Sequence, residues 1–297
     1  PLLPLDIDGV TFWCKAECDQ PIGAFKVRGG IHRIADLDDR QAARGVVAFS
    51  SGNHAQGVAW AAKQRGIAAT IVMPSDAPAA KVEGTRALGA EIVFYERLSQ
   101  SREEIAAEIA ERTGSVLIPS FDDPWIVEGQ GSCGVELREQ MIAQTGHAPD
   151  QILVCCGGGG LSSGIALANP QAEIIIVEPE GWDDMGRSLR HGVIEAVGPN
   201  PPPTACDALQ TLRVAPLTFD ILRERSATGV AVSETDVIAA MRVAKDRLDR
   251  TVEPGGAVAL AAILTGKVEP TPYTALTLSG GNVDPATFAR MTAQPAS

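Results

Sequence analysis

Two short segments hold the residues best suited to do chemistry: PIGAFKVRGG at 21–30 and FSSGNHAQG at 49–57. In the first, Lys26 stands among small and glycine-rich neighbours. A lysine in a partly apolar setting has a lowered pKa and can attack a carbonyl as a nucleophile, then serve as a base. In the second, hydroxyls, an amide and glycines open a stretch with helical pattern. An amine able to condense with a carbonyl near such a loop points to Schiff-base chemistry. The plain alternative for Lys26, one of six lysines, is a surface or salt-bridged side chain.

Further along, Cys155-Cys156-Gly157-Gly158-Gly159-Gly160-Leu161-Ser162-Ser163-Gly164 puts four glycines between an apolar run and a helical pattern. Backbone N–H groups can converge there on an anion at a helix N-terminus. A Walker loop would need Gly-Lys-Ser/Thr, and no lysine is present. A dinucleotide fingerprint needs glycines at n, n+2 and n+5, and serine occupies n+5 in every frame. Glu178 falls about where the ribose-binding acid of that fingerprint lies, so the dinucleotide reading stays open. The run Glu178-Pro179-Glu180-Gly181-Trp182-Asp183-Asp184 sets carboxylates around a turn with backbone carbonyls between them. Such oxygens suit a divalent cation; the alternative is a solvated acidic loop.

The elements that must position these groups alternate regularly. Gly45–Phe49, Ala69–Pro74, Glu91–Tyr95, Gln151–Cys155 and Glu173–Val177 read as strands. Gln56–Arg65, Lys81–Leu88, Ser101–Thr113 (Ser101 as cap, Glu104 three residues on) and Leu161–Ala168 read as helices. This alternation predicts β-α-β units, a mostly parallel sheet and helices on both faces. Residues 45–122 form a compact unit by themselves. We expect a smaller domain there, inserted between the two parts, 1–44 and 123–297, of a larger one. Pro199–Pro203 marks a loop.

The 297 residues can bury a large core, and 45% hydrophobic content with few aromatics and 30 glycines fits an α/β protein packed by small aliphatics. A net charge of −12 argues against nucleic acid or an anionic membrane as the main partner. No apolar run reaches the roughly 18–20 residues of a spanning helix, and no signal peptide is visible. The six dispersed cysteines read as reduced, mostly buried thiols of a cytoplasmic protein.

Four segments together carry a resemblance. Gln20–Gly29 is similar to the lysine motif of the fold-type II pyridoxal-phosphate enzymes, in particular the threonine dehydratase and serine racemase group. Ser50–Gly57, the tetraglycine loop and Leu278-Ser279-Gly280-Gly281-Asn282-Val283-Asp284 match that group in order and spacing, so the resemblance spans essentially the whole chain. It implies two open, twisted, mostly parallel sheets flanked by helices, like the tryptophan synthase β chain. Pyridoxal 5'-phosphate would be bound by Lys26, which later removes the substrate α-proton. Gly157, Gly158, Gly159, Gly160 and Leu161 would receive its phosphate, Asn53 its ring hydroxyl and Ser279 its ring nitrogen. Ser50, Ser51, Gly52, Asn53 and His54 would cradle the substrate carboxylate, with Arg102 helping to hold the substrate; His54 could instead be packed under the loop. Glu178, the Trp182 carbonyl and Asp184 would bind Mg²⁺, Mn²⁺ or Ca²⁺ in a structural or activating role. A homodimer is the family expectation.

The implied reaction is elimination from a small hydroxy amino acid, L-threonine or L-serine, to a 2-oxo acid and ammonia. Ser51 complicates that choice, because a hydroxyl on the face opposite Lys26 can deliver a proton there and invert the α-carbon. Serine racemase and 3-hydroxyaspartate dehydratase are therefore alternatives. A non-catalytic binding protein of the same fold is a third, against which the joint retention of Lys26, Ser279 and the phosphate loop speaks. Pro254-Gly255-Gly256-Ala257 looks dehydratase-like. The run after Asp284 is too short for an appended amino-acid-sensing domain, so feedback control of that kind is not expected.

Overall fold

The structure, a computed structural model, describes residues 1–77 and 79–293. The chain runs through β1 (Leu2–Ile7), β2 (Val10–Ala16), α1 (Lys26–Ala35), α2 (Asp39–Arg44), β3 (Val46–Phe49), α3 (Asn53–Arg65), β4 (Ala69–Pro74) and α4 (Ala79–Ala87). It continues through β5 (Glu91–Tyr95), α5 (Arg102–Thr113), β6 (Val116–Leu117), α6 (Pro124–Thr145), β7 (Gln151–Cys155), α7 (Gly160–Ala168), β8 (Glu173–Pro179) and α8 (Asp184–His191). It closes with α9 (Pro216–Glu224), β9 (Thr228–Val232), α10 (Glu234–Leu248), α11 (Pro254–Leu264), β10 (Thr274–Leu278) and α12 (Pro285–Thr292).

These elements form two compact units. One comprises Lys26–Gln130 and the other Pro1–Phe25 with the described residues from Gly131 on. Sequence alternation suggests 45–122 for the smaller body; the compact unit is wider because α1 packs closely on α3. A Cβ at Gly30 would stand 2.8 Å from the Gly57 carbonyl oxygen, a separation open only to glycine. The segment 26–44 therefore packs with the strands that follow it.

In the Lys26–Gln130 unit, four parallel strands lie in the order β5-β4-β3-β6. The core beneath them is aliphatic, with Val46, Ala48, Ile71 and Met73 meeting Val58 and Ala62 of α3. Helix α3 begins at Asn53 rather than at Gln56, where the alanine run becomes obvious. Its N-cap is Gly52, which supplies no side-chain cap for the amides of the first turn.

The other unit has a six-stranded sheet, β1-β2-β10-β7-β8-β9, in which only the β1–β2 hairpin is antiparallel. The central strands β7 and β10 are buried along their whole length, as parallel strands covered on both faces must be. Helix α11 is buried from Pro254 to Ile263, and a helix apolar all round belongs in such an interior. In both units the singled-out loops follow the C-terminal ends of parallel strands: β3 before Ser50, β7 before the glycines, β8 before Glu180, and β10 before Ser279. This is where open α/β sheets place ligands.

Candidate active site

Lys26 is the first residue of α1, and its Nζ donates to the Ser120 carbonyl at 2.8 Å. The helix start is held from the side by α3. A Cβ on Gly57 would lie 2.8 Å from the Lys26 carbonyl oxygen and 3.2 Å from the Lys26 Cβ. On the other flank, the Gly29 amide donates to Gln130 Oε1 at 3.2 Å.

The hydroxyl loop stands at the end of β3 in the same unit. Ser50 is tied to β4 through its amide and the Val72 carbonyl, and its hydroxyl accepts from the Gly52 amide at 3.1 Å. Ser51 makes no side-chain hydrogen bond among the described residues. Asn53 and His54 open α3. His54 is buried, with Nε2 2.9 Å from the Ile118 carbonyl. A carbonyl only accepts, so Nε2 carries the proton. Burial, reinforced by the nearby Lys26 charge, lowers the His54 pKa to about 3 and keeps the ring neutral. The side chain is thus packed under the loop, and what His54 can offer a ligand is its backbone amide. Arg102, the first residue of α5, stacks 5.4 Å over the Phe49 ring and pairs with Glu103 at 2.8 Å, with its side chain about half exposed. Phe49 directly precedes Ser50, so Arg102 stands beside the entrance to the loop.

In the other unit, Gly157 to Gly159 connect β7 to α7, and Gly159 takes φ +87°, a left-handed conformation that favours glycine. Ser279 follows β10 and is buried. Around it the chain is sewn to the segment that leads into Lys26: Phe25 N–H donates to the Ser279 carbonyl at 3.0 Å, Gly281 N–H to Gly23 at 2.9 Å, and Asn282 Nδ2 to Ile22 at 2.8 Å. The Ser279 strand end and the residue before Lys26 are consequently fixed to one another.

Glu178 and Asp184 are both buried. Glu178 is fully buried and accepts from the Met185 and Gly186 amides at 3.0 and 2.8 Å. Both carboxylate oxygens of Asp184 are buried without a hydrogen-bond partner. Burial pushes Asp184 up to about 7, and burial together with the Asp184 charge raises Glu178. An uncompensated buried carboxylate is costly. Among the described residues, no cluster of three or more His, Cys, Asp or Glu side chains could hold a metal. The orphaned, buried Asp184 oxygens would fit an oxygen-seeking divalent cation.

The model of the pyridoxal-phosphate dependent enzymes matches residues 1–280. The chain belongs to that family. It is 41% identical over 288 residues to the L-threo-3-hydroxyaspartate ammonia-lyase of Pseudomonas sp, covering 95% of this chain and 88% of that one. It is 39% identical over 285 residues to the serine racemase of Schizosaccharomyces pombe, covering 94% and 86%. The crystal structure of the T.th. threonine deaminase superposes with a TM-score of 0.87 at 41% identity, covering 96% of this chain and 92% of the other. The paired sheets and their flanking helices are thus the fold of the type II pyridoxal-phosphate enzymes, and the relatives of this family member are ammonia-lyases and racemases.

Three groups that hold these loops stand in no motif. The Ser120 and Ile118 carbonyls receive Lys26 and His54, and any residue type supplies a carbonyl. Thr218, in α9, donates to the Gly158 carbonyl at 2.8 Å; a lone threonine far along the chain from the loop gives no sequence signal.

Proposed function

We propose that the protein is an ammonia-lyase that eliminates the β-hydroxyl of a small hydroxy amino acid, L-threonine or L-serine, giving a 2-oxo acid and ammonia. The observation that carries the proposal is Lys26, an amine held at a helix start, 2.8 Å from a backbone carbonyl, beside a loop of hydroxyls and backbone amides. When bound, pyridoxal phosphate supplies an aldehyde that condenses with amines and a ring that draws electrons from the substrate α-carbon.

The chain's own residues do the rest. The Ser120 carbonyl orients the Lys26 amine, which binds the cofactor and then takes the α-proton on its face. The amides of Gly157–Gly160 and Leu161 receive the phosphate, and Asn53 the ring hydroxyl. The backbone amides of Gly52, Asn53 and His54, with the Ser50 and Ser51 hydroxyls, hold the substrate carboxylate. His54 acts there through its backbone, its ring being committed to Ile118. Arg102 adds a cation for the substrate. Ser279 meets the ring nitrogen with a hydroxyl, which stabilises a protonated ring less than a carboxylate does; this favours elimination or racemisation over transamination. Glu178, the Trp182 carbonyl and Asp184 hold a structural or activating Mg²⁺, Mn²⁺ or Ca²⁺.

Racemisation is the second reading, favoured by the Ser51 hydroxyl, which is uncommitted among the described residues. A proton returned from that face inverts the α-carbon. We also read the protein as a homodimer of the cytoplasm. All six cysteines are free thiols, and no described helix is long and apolar enough to cross a membrane.

The test is to incubate the protein with L-serine, D-serine, L-threonine and both threo-3-hydroxyaspartates, following oxo acid and enantiomer together. Oxo acid should exceed inverted amino acid; D-serine forming faster than pyruvate would refute the lyase reading. Ser51→Ala should retain elimination of L-substrates and lose racemisation, and loss of both activities would remove the face-specific role.

A further inference from the structure

In a trans peptide the carbonyl of one residue and the N–H of the next point in opposite directions, and no cis bond occurs among the described residues. Fixing a carbonyl on one side therefore aims the following amide to the other. Three successive carbonyls of the glycine loop are fixed in this way. Cys156 Sγ lies 3.4 Å from the Gly157 carbonyl oxygen, Thr218 Oγ1 donates to Gly158 at 2.8 Å, and Ser162 Oγ donates to Gly159 at 3.1 Å. The amides turned the opposite way belong to Gly158, Gly159 and Gly160.

Two of these contacts come from the loop's immediate neighbours. The shortest comes from α9. Thr218 is fully buried, and its hydroxyl also lies 3.2 Å from the Ala215 carbonyl. A hydroxyl has one proton, and the shorter contact to Gly158 takes it. The Thr218 carbonyl in turn accepts from Ser163 Oγ at 3.3 Å, so α9 is bonded to both the loop and α7. A Cβ on Gly159 would stand 2.9 Å from the Thr218 Cβ, so the side chain also backs the loop at its left-handed residue.

We propose that Thr218 is a positioning residue for the cofactor phosphate, locking the peptide between Gly158 and Gly159 so that its N–H is aimed before the cofactor arrives. This rests on reading the tetraglycine loop as the phosphate cradle. Pre-aimed donors bind an anion without reorganising, whereas a free glycine peptide can turn its carbonyl towards the same site.

The experiment titrates apoprotein with pyridoxal phosphate and, separately, with pyridoxal, which has the aldehyde but no phosphate. Binding is read from the visible absorbance of the lysine adduct. Thr218→Val keeps the shape and removes the donor, leaving a buried carbonyl unpaired. It should weaken pyridoxal phosphate binding by about tenfold and leave pyridoxal binding unchanged, and Thr218→Ser should restore the wild-type value. Should the valine variant not fold, Thr218→Ala removes the same donor and is judged by the same ratio of the two affinities. An equal loss for both ligands would assign Thr218 a merely structural role, and no loss for either would leave it without one; both results overturn the proposal. If the wild-type protein does not itself prefer the phosphorylated ligand, the cradle reading has failed and Thr218 falls with it.

Discussion

The substitution Gly57→Ala should disturb both catalysis and stability, and the structure says by how much. The new Cβ would stand 2.8 Å from the Lys26 carbonyl oxygen and 2.9 Å from its carbonyl carbon, both backbone atoms that cannot rotate away. Ordinary contact begins at 3.4 Å, so α1 and α3 must separate by about 0.6 Å (3.4 − 2.8). Overpacking of this kind costs about 1–3 kcal/mol, partly offset by the roughly 0.5–1 kcal/mol that alanine gains over glycine within a helix. A net loss of about 1–2 kcal/mol follows. Displacing the reacting amine by half an ångström is expected to lower turnover about tenfold, since a 1 Å misplacement costs about a hundredfold. Gly84→Ala is the matched control. Gly84 also lies within a helix, but the nearest atom to its new Cβ is Gln56 Nε2 at 3.5 Å. That variant should be as active as the parent and more stable by about 0.5–1 kcal/mol. Denaturant unfolding of both apoproteins and steady-state turnover of both holoenzymes decide the matter. The reasoning is refuted if Gly57→Ala matches the parent in both measurements, or if Gly84→Ala loses comparable stability.

Two further outcomes follow from buried groups. If a divalent cation sits on Asp184, chelation should lower stability by about 2–3 kcal/mol from a state with the ion near a hundred times its Kd. Asp184→Asn should show no chelator response, and its apoprotein should unfold no earlier than the parent's; a chelator-insensitive parent would remove the cation from the site. His54 predicts a pH dependence. Its folded pKa, about 3, lies below the usual 6.5, so the unfolded chain takes up a proton over this window and the folded one does not. The contribution is present above pH 6.5 and is lost as the pH falls towards 3, amounting to about 2 kcal/mol between roughly pH 6.5 and pH 5. His54→Gln, which keeps an N–H for Ile118, should remove that slope in acid unfolding curves, and an unchanged slope would locate the titration elsewhere.

The loops were legible because they are contiguous. Turning a chain sharply at the end of a parallel strand, while offering donors to an anion, selects glycine and small hydroxyl residues in a row, and such rows stand out at 50–57 and 157–164. The β-α-β alternation predicts β3 to β5, β7 and β8 with their intervening helices, since buried parallel strands read as aliphatic runs. The extent of the smaller unit was harder to see. Its edge depends on two glycines, Gly30 and Gly57, that let helices far apart in sequence touch, and a single glycine within a helix looks like any other. Nor does a cap motif mark Lys26 as a helix start, because the order preceding it comes from backbone bonds between Gly23 or Phe25 and the 279–281 segment.

Much of the chemistry in the proposed function falls to backbone atoms: the Ser120 and Ile118 carbonyls, the first-turn amides of α3, and the glycine amides before α7. Residue type does not encode where a backbone atom points. That direction is set by whatever fixes the other side of the peptide, and at the Gly158 carbonyl the fixing group is a hydroxyl from α9. The substitution Thr218→Val touches no group that contacts the substrate in the proposed reaction, yet it acts on a peptide whose aim that reaction needs. Where amides and carbonyls do the binding, specificity for the cofactor is therefore distributed into packing residues, and reading only the motif residues underestimates the site.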